Sequence, residues 1–362
     1  MAYTTIDDPS AYHQTVLYTG NSGDNSITNV GNSDLQPDWI WVKNRDAVAD
    51  HLLFDSTRGF DGQNDSLYLE VNSDVESHDN DHHLKSYDTD GFTMQADDAR
   101  SNESSDEYVA FQWKANGGTR VTYSESGDNP AGGYQVNTTA GFSIVDWTGT
   151  GGAGGTAAHG LGAVPHVIIT KTRSHANDWA VYHHKNTSAP ETDYLVLNST
   201  AATVDNVNRW NDTKPTSTNL VFGDVGGVNS NDQTQIAYVF TEIQGFSKFG
   251  SFTGNGDADG PFVYLGFKPA WILYKRASDG TNNWGLIDST RNPLNPMVST
   301  LTSNLPNDPG DASGNGGGDF LSNGWKIGVT AGSRNASGVE YIYMAFAEHP
   351  FVSSEGVPVT AR

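Results

Sequence analysis

Trp39-Ile40-Trp41-Val42-Lys43, entered through Pro37, decides the reading of this chain because it returns twice. Val167-Ile168-Ile169-Thr170-Lys171 follows Pro165, and Trp271-Ile272-Leu273-Tyr274-Lys275 follows Pro269. Upstream of each proline stands an aromatic-Thr-Gly triplet: Tyr18-Thr19-Gly20, Trp147-Thr148-Gly149 and Phe252-Thr253-Gly254. Each copy closes on an apolar run, Tyr108-Val109-Ala110-Phe111, Ala237-Tyr238-Val239-Phe240 or Tyr343-Met344-Ala345-Phe346. From the threonine to the last phenylalanine the distances are 92, 92 and 93 residues. Three markers held in register describe one unit of about 100 residues written three times.

The boundaries follow. Residues 1–16 form an N-terminal arm, and the repeats span 17–118, 141–245 and 246–350. Residues 119–140 are read as a linker and 351–362 as a tail. The linker is rich in Gly, Ser, Thr and Asn, so the first joint is expected to be the loosest and the first to be nicked by protease. The second and third repeats meet at Gly245-Phe246-Ser247-Lys248 with almost no spacer. A unit of this size can bury its own core. Beads on a string and a compact trefoil of whole domains both satisfy the pattern.

The fold class is all-β. Forty glycines and short β-rich runs between Gly/Asn/Asp clusters read as strands and turns, eight to ten per repeat. No stretch repeats apolar residues at helical spacing over three turns. Trp39 and Trp41 point to one side of their strand, Ile40 and Val42 to the other. A strand apolar on both faces is buried on both faces, inside a sandwich or between domains. Three tandem homologous β-sandwiches, of jelly-roll or lectin-like type, are the expectation.

Composition excludes several functions. The net charge of −23 repels nucleic acid and anionic membrane. With no cysteine there is no disulfide, thiol catalysis or Cys-based zinc site. The opening Met1-Ala2-Tyr3-Thr4-Thr5-Ile6-Asp7-Asp8 has neither a basic n-region nor an apolar h-region, which predicts synthesis and assembly in a cytoplasm.

Each candidate residue has a structural reading beside the functional one. Lys43, Lys171 and Lys275 end the apolar runs; the structural reading has them cap the strip and pair with carboxylates such as Asp55 and Asp288. Phe54-Asp55-Ser56-Thr57-Arg58 holds a serine but no nucleophile elbow, and reads as a side-chain-to-backbone turn. His78-Asp79-Asn80-Asp81-His82-His83 is dense in metal-ligating types, but consecutive loop residues seldom converge on one ion. Asp257 and Asp259, in a Gly-Asp-Ala-Asp-Gly turn, are the candidate calcium ligands, without the rest of a calcium loop. No other cofactor is expected. Trp179, Trp210 and Trp284 lie among polar residues, where exposed tryptophan would stack on sugar rings; the alternative is that they close the sandwich ends. Tyr3, Ile6 and Tyr12 are the apolar anchors by which the arm would dock on a partner. Triplication favours three weak binding faces over three catalytic sites.

The whole chain resembles a family of triple-repeat proteins of marine tailed bacteriophages, labelled virion structural or tail-fibre-like. The resemblance rests on Met1-Ala2-Tyr3-Thr4-Thr5-Ile6-Asp7, Leu17-Tyr18-Thr19-Gly20-Asn21, Gln36-Pro37-Asp38-Trp39-Ile40-Trp41-Val42-Lys43-Asn44-Arg45 and Leu53-Phe54-Asp55-Ser56-Thr57-Arg58-Gly59. It continues in Gly141-Phe142-Ser143-Ile144-Val145, Gly245-Phe246-Ser247-Lys248-Phe249-Gly250-Ser251 and Tyr341-Ile342-Tyr343-Met344-Ala345-Phe346-Ala347-Glu348. Related sequences often carry cysteine around Phe111-Gln112-Trp113; this chain does not. The resemblance brings no catalytic residue. It implies a non-enzymatic protein on the virion surface, a capsid decoration or fibre knob, in contact with other capsid or tail proteins and with host-surface polysaccharide. A homotrimer is the favoured assembly. A receptor-binding tail fibre is the alternative of the same class, and a glycan depolymerase the alternative of another.

Overall fold

Residues 2–60, 66–78, 82–95, 98–280, 282–308, 310–311 and 317–358 are described by a computed structural model. The first repeat holds β1 (His13–Thr19), β2 (Asn25–Ile27), β3 (Trp39–Asn44), β4 (Leu52–Asp55), β5 (Tyr68–Glu70), β6 (Leu84–Asp88), β7 (Gly91–Met94) and β8 (Glu107–Trp113). Then come β9 (Val121–Tyr123) and β10 (Gly132–Asn137). The second repeat holds β11 (Phe142–Thr148), β12 (Gly155–Ala158), β13 (Val167–Thr172), β14 (Ala180–His183), β15 (Asp193–Val196), β16 (Val204–Asp205), β17 (Asn219–Phe222) and β18 (Thr234–Phe240). The third holds β19 (Ser247–Thr253), β20 (Phe262–Tyr264), β21 (Phe267–Arg276), β22 (Gly285–Asp288), β23 (Ser299–Thr302), β24 (Gly310–Asp311), β25 (Asp319–Leu321), β26 (Gly324–Lys326) and β27 (Glu340–Pro350). Among the described residues helix is confined to single turns.

The three main sheets share one strand order. It reads β1-β8-β3-β4-β5, then β11-β18-β13-β14-β15, then β19-β27-β21-β22-β23. The proline-led strand is third in each chain order and central in each sheet. The registers also agree: Thr19, Thr148 and Thr253 pair with Glu107, Thr234 and Glu340. At the other end His13, Phe142 and Ser247 face Trp113, Phe240 and Phe346. The residue equivalent to Phe240 and Phe346 is therefore Trp113, not Phe111. Two aromatics two apart on one strand face look alike in sequence, and only the pairing separates them.

Apolar residues on both faces of these strands are covered on both faces. Ile40 and Val42 pack with Ile27, Phe92 and Met94 of the small sheet β2-β7-β6. Ile168 packs in the same way over β12-β17, and Ile272 over β20-β26-β25. The other face of every main sheet turns to a shared interior. One buried cluster takes Trp39, Trp41 and Trp113 from the first repeat, Ile169, Tyr238 and Phe240 from the second, and Trp271, Leu273 and Phe346 from the third. Ring contacts link each pair of repeats: Trp39–Tyr238 at 4.9 Å, Trp113–Trp271 at 5.2 Å and Phe240–Phe346 at 5.8 Å between centroids. Three two-layered units thus stand around a common apolar axis. Each large side chain buried there contributes about 1.5–3 kcal/mol.

Two expectations about the connecting segments are corrected. Residues 119–140 are not a loose linker. β10 pairs with β11 and β9 with β10, so the segment extends the second main sheet to eight strands. Tyr134 and Val136 pack on the second repeat's core, and the buried Gln135 amide donates to Ser56 Oγ at 2.8 Å. Its glycines masked that short alternation. The N-terminal arm is engaged by its own chain. Tyr3 OH donates to Gly266 O at 2.8 Å, Thr4 Oγ1 to Gln244 O at 2.8 Å, and the Tyr12 ring meets Phe246 at 6.0 Å. Ile6 is 2% exposed, inside the shared core. Gly245 (φ 78°) lies under the arm, where a Cβ would stand 2.8 Å from that of Thr4. The anchors proposed for a partner are occupied because the arm lies across the joint of the second and third repeats. Ile6→Ala should lower unfolding stability by about 2–5 kcal/mol. Urea titration measures this; no change would mean a dispensable arm.

Candidate functional site at the joints between repeats

The start of the fourth strand of each repeat reaches the fifth-strand region of the repeat before it. Trp179 Nε1 donates to Glu70 O at 2.9 Å, and Trp284 Nε1 to Val196 O at 2.8 Å. His51 takes the equivalent place in the first repeat, and its Nε2 donates to Leu305 O at 3.1 Å. The first repeat therefore holds the third as the second holds the first, and the ring closes. Two of the terminal lysines, Lys171 and Lys275, also reach the preceding repeat, while Lys43 bonds within its own. All three are fully buried. Lys171 Nζ donates to Asp74 O at 2.7 Å, Lys275 Nζ to Thr200 O at 3.1 Å, and Lys43 Nζ to Asn44 O at 2.8 Å with the Asp308 charge nearby. Burial pulls each ammonium down to about 8.

Asp55 and Asp288 are not the partners of these lysines. Asp55 Oδ2 receives Arg58 Nε at 2.5 Å and Tyr238 OH at 2.8 Å, so it sits on the joint of the first and second repeats. Asp288 Oδ2 receives Arg291 Nε at 2.5 Å. Both ion pairs have fully buried side chains. A lysine four strand residues further along the apolar strip lies too far to reach them. His183 replaces the aspartate in the second repeat and bonds Tyr343 O of the third at 3.1 Å.

Trp179, Trp210 and Trp284 offer no face for a sugar. They are 0%, 2% and 3% exposed, and Trp210 Nε1 donates to Asp193 O at 3.0 Å. The polar neighbours in sequence do not mark exposure here: each indole is buried and its N–H meets a main-chain carbonyl distant in the chain. Among the described histidines of the dense cluster, His78 stacks on the Tyr68 ring at 4.8 Å and the buried His83 meets the same ring edge-on at 4.8 Å while bonding Ser101 Oγ, so both rings are used in packing; Asp79–Asp81 lie outside the described residues. Asp257 and Asp259 lie on an exposed turn, where Asp259 pairs with Lys326 at 2.6 Å and Asp257 accepts the Asp259 N–H at 3.0 Å. Among the described residues no three His, Asp or Glu side chains gather around a metal-sized point.

The joint of the second and third repeats carries an open cleft. It measures about 590 Å³ and is lined by His184, Lys185, Glu242, Lys248, Phe262 and Tyr264, among others. Glu242 Oε1 accepts the Phe249 N–H at 2.7 Å, and His184 Nε2 donates to Phe249 O at 2.7 Å. Two side chains of the second repeat thus hold the outer edge of β19. Sequence reading missed this cleft. Its signal was the alternation Phe262-Val263-Tyr264, two aromatics around one buried residue.

The chain belongs to the family described as Domain of unknown function (DUF7483), which matches residues 8–350. That span takes in all three repeats and most of the arm as one unit. No curated protein matches the chain.

The joint histidines give the assembly an acid limit. His51 Nδ1 accepts the Trp41 Nε1–H at 3.0 Å while its Nε2 donates to Leu305 O. His183 Nδ1 accepts the Lys185 N–H at 3.1 Å while its Nε2 donates to Tyr343 O. Both rings are neutral with one fixed tautomer. Burial holds His13, His51 and His183 down at about 3. Their unfolded value of about 6.5 is higher. Between these values the unfolded chain binds protons that the folded chain does not, so stability falls as pH drops from about 6.5 towards 3. Thermal midpoints across that range should show the slope, reduced in His51→Gln and His183→Gln. Slopes equal to wild type in both variants would contradict this assignment.

Proposed function

We propose that this protein is a non-enzymatic structural component displayed on the surface of a bacteriophage particle, as a capsid decoration or fibre knob. The three two-layered units are read as homologous lectin-like β-sandwiches. The observation that carries the reading is the use of the buried charged and polar side chains. Lys171, Lys275, Tyr238, Trp179, Trp284, His51 and His183 all bond across joints between repeats. Their chemistry builds one closed body. The acidic balance of 43 Asp and Glu against 20 Lys and Arg suits an exposed exterior in contact with salt water. The phage setting rests on the sequence resemblance. Docking on other virion proteins, as a trimer, belongs to the same proposal.

Imaging of intact particles with an antibody to this chain should decorate their surface, and incubation with host polysaccharide should release no oligosaccharide. Absence from the particle would remove the display reading. Release that depends on the chain would favour a depolymerase.

A further inference from the structure

Three copies of one scaffold allow an internal comparison. Side chains that the scaffold requires recur in all three; a side chain present in one copy answers to something else. Ile27, Ala157 and Val263, buried residues of the small-sheet strands, pair with the buried Phe92, Leu220 and Trp325. Their outward neighbours are Ser26 and Thr28 in the first repeat, Thr156 and Ala158 in the second, and Phe262 and Tyr264 in the third. Phe262 is 44% exposed and Tyr264 50%. Large aromatics stand only where the scaffold accepts serine, threonine or alanine.

The cations at this joint pass the same test. Two residues beyond Asp55, His183 and Asp288 stand Thr57, Lys185 and Thr290. The second residue of each first-strand ladder is Gln14, Ser143 or Lys248. Lys185 and Lys248 are thus peculiar to the joint of the second and third repeats, as Phe262 and Tyr264 are. All four line the 590 Å³ cleft, and a second hollow of about 350 Å³ shares Glu242, Lys248 and Tyr264 with it. Lys248 Nζ donates to Tyr264 O at 2.8 Å and lies 5.2 Å from the Tyr264 ring centre. Among the described residues neither lysine forms an ion pair with a carboxylate. Glu242 has one oxygen committed to Phe249 N. The corresponding groove at the joint of the third and first repeats, about 290 Å³, presents Gln14, Ser289 and Thr290.

We propose that this cleft binds an acidic saccharide, with a sugar ring against Phe262 and Tyr264 and its carboxylate beside Lys185 and Lys248. Aromatic rings two apart on a strand stand about 7 Å from each other, within the span of one or two sugar rings. They offer an apolar face to the C–H side of a pyranose, while hydroxyls meet the polar wall. Two ammonium groups that form no ion pair among the described residues, against the single carboxylate of Glu242 in the lining, leave the cleft with an excess of positive charge, and on a chain of net charge −23 that excess selects an anion from a surface that otherwise repels one. An acidic peptide would satisfy the lysines alone and leave the aromatic pair unexplained. The inference rests on the display reading for its setting and gives the displayed surface a ligand class.

The test is titration calorimetry of the full chain with a hexuronate tetrasaccharide, a neutral tetrasaccharide of the same linkage and a polyglutamate peptide. The uronate should bind, and Phe262→Ala/Tyr264→Ala should weaken it about tenfold or more, a loss of about 1.4 kcal/mol. Lys185→Gln/Lys248→Gln should erase the preference for uronate over the neutral sugar. Ser26→Ala/Thr28→Ala, at the matching place in the first repeat, should change nothing. Thermal midpoints check that the variants fold, and amide shifts of the wild-type chain on adding uronate map the site without any variant. No binding at millimolar uronate, binding indifferent to the aromatic pair, or equal affinity for polyglutamate would overturn the proposal. Absence of the chain from particles would sink the display reading and leave this titration unaffected.

Discussion

Every main sheet of this protein is apolar on both faces, and that constraint sets the rest. The small sheet of each repeat covers only one face. The other would leave Trp39, Trp41, Trp271 and their equivalents in water. Three such faces turned inward cover one another, which is why the joints are tight and why the arm and β10 are drawn into them. Filling this interior with large rings has a cost: the indole N–H groups of Trp39, Trp113 and Trp271 are buried and find no hydrogen-bond acceptor among the described residues. Ring-on-ring packing across each joint offsets it.

Hydrophobic cover alone does not fix how the sheets are turned. The directional bonds do. Trp179, Trp284 and His51 reach the preceding repeat from equivalent places, and the lysines that end each apolar strip bring ammonium groups to main-chain oxygens at the rim. A buried cation or neutral imidazole is tolerable only with those partners in place. Specific geometry and sensitivity to pH therefore have one origin. The joints are not identical: Lys185, Lys248, Phe262 and Tyr264 stand at one of them where the other copies carry Thr, Gln, Ser or Ala, and it is this difference that the proposed ligand site uses.

Much of this was legible in the sequence. The proline-led runs showed the triplication, the central strand and its burial on both sides. The closing markers located the partner strand, with the slip from Phe111 to Trp113 that pairing alone resolves. What could not be read is the joint chemistry. The acceptors for Trp179, Trp284 and Lys171 are main-chain carbonyls about a repeat away, and a carbonyl has no sequence signature. The same ignorance made three buried tryptophans look like exposed ones. The strands of 119–140 were hidden by glycine, and the aromatic pair of the cleft by the varying spacing of the small-sheet strands, which no marker holds in register.

The central claim is that the three repeats fold as one body around a shared core, and calorimetry of the intact chain tests it most directly. A common core predicts a single transition whose calorimetric and van't Hoff enthalpies agree, a ratio of about one. Three resolved transitions, each with the enthalpy of a single repeat, would contradict it.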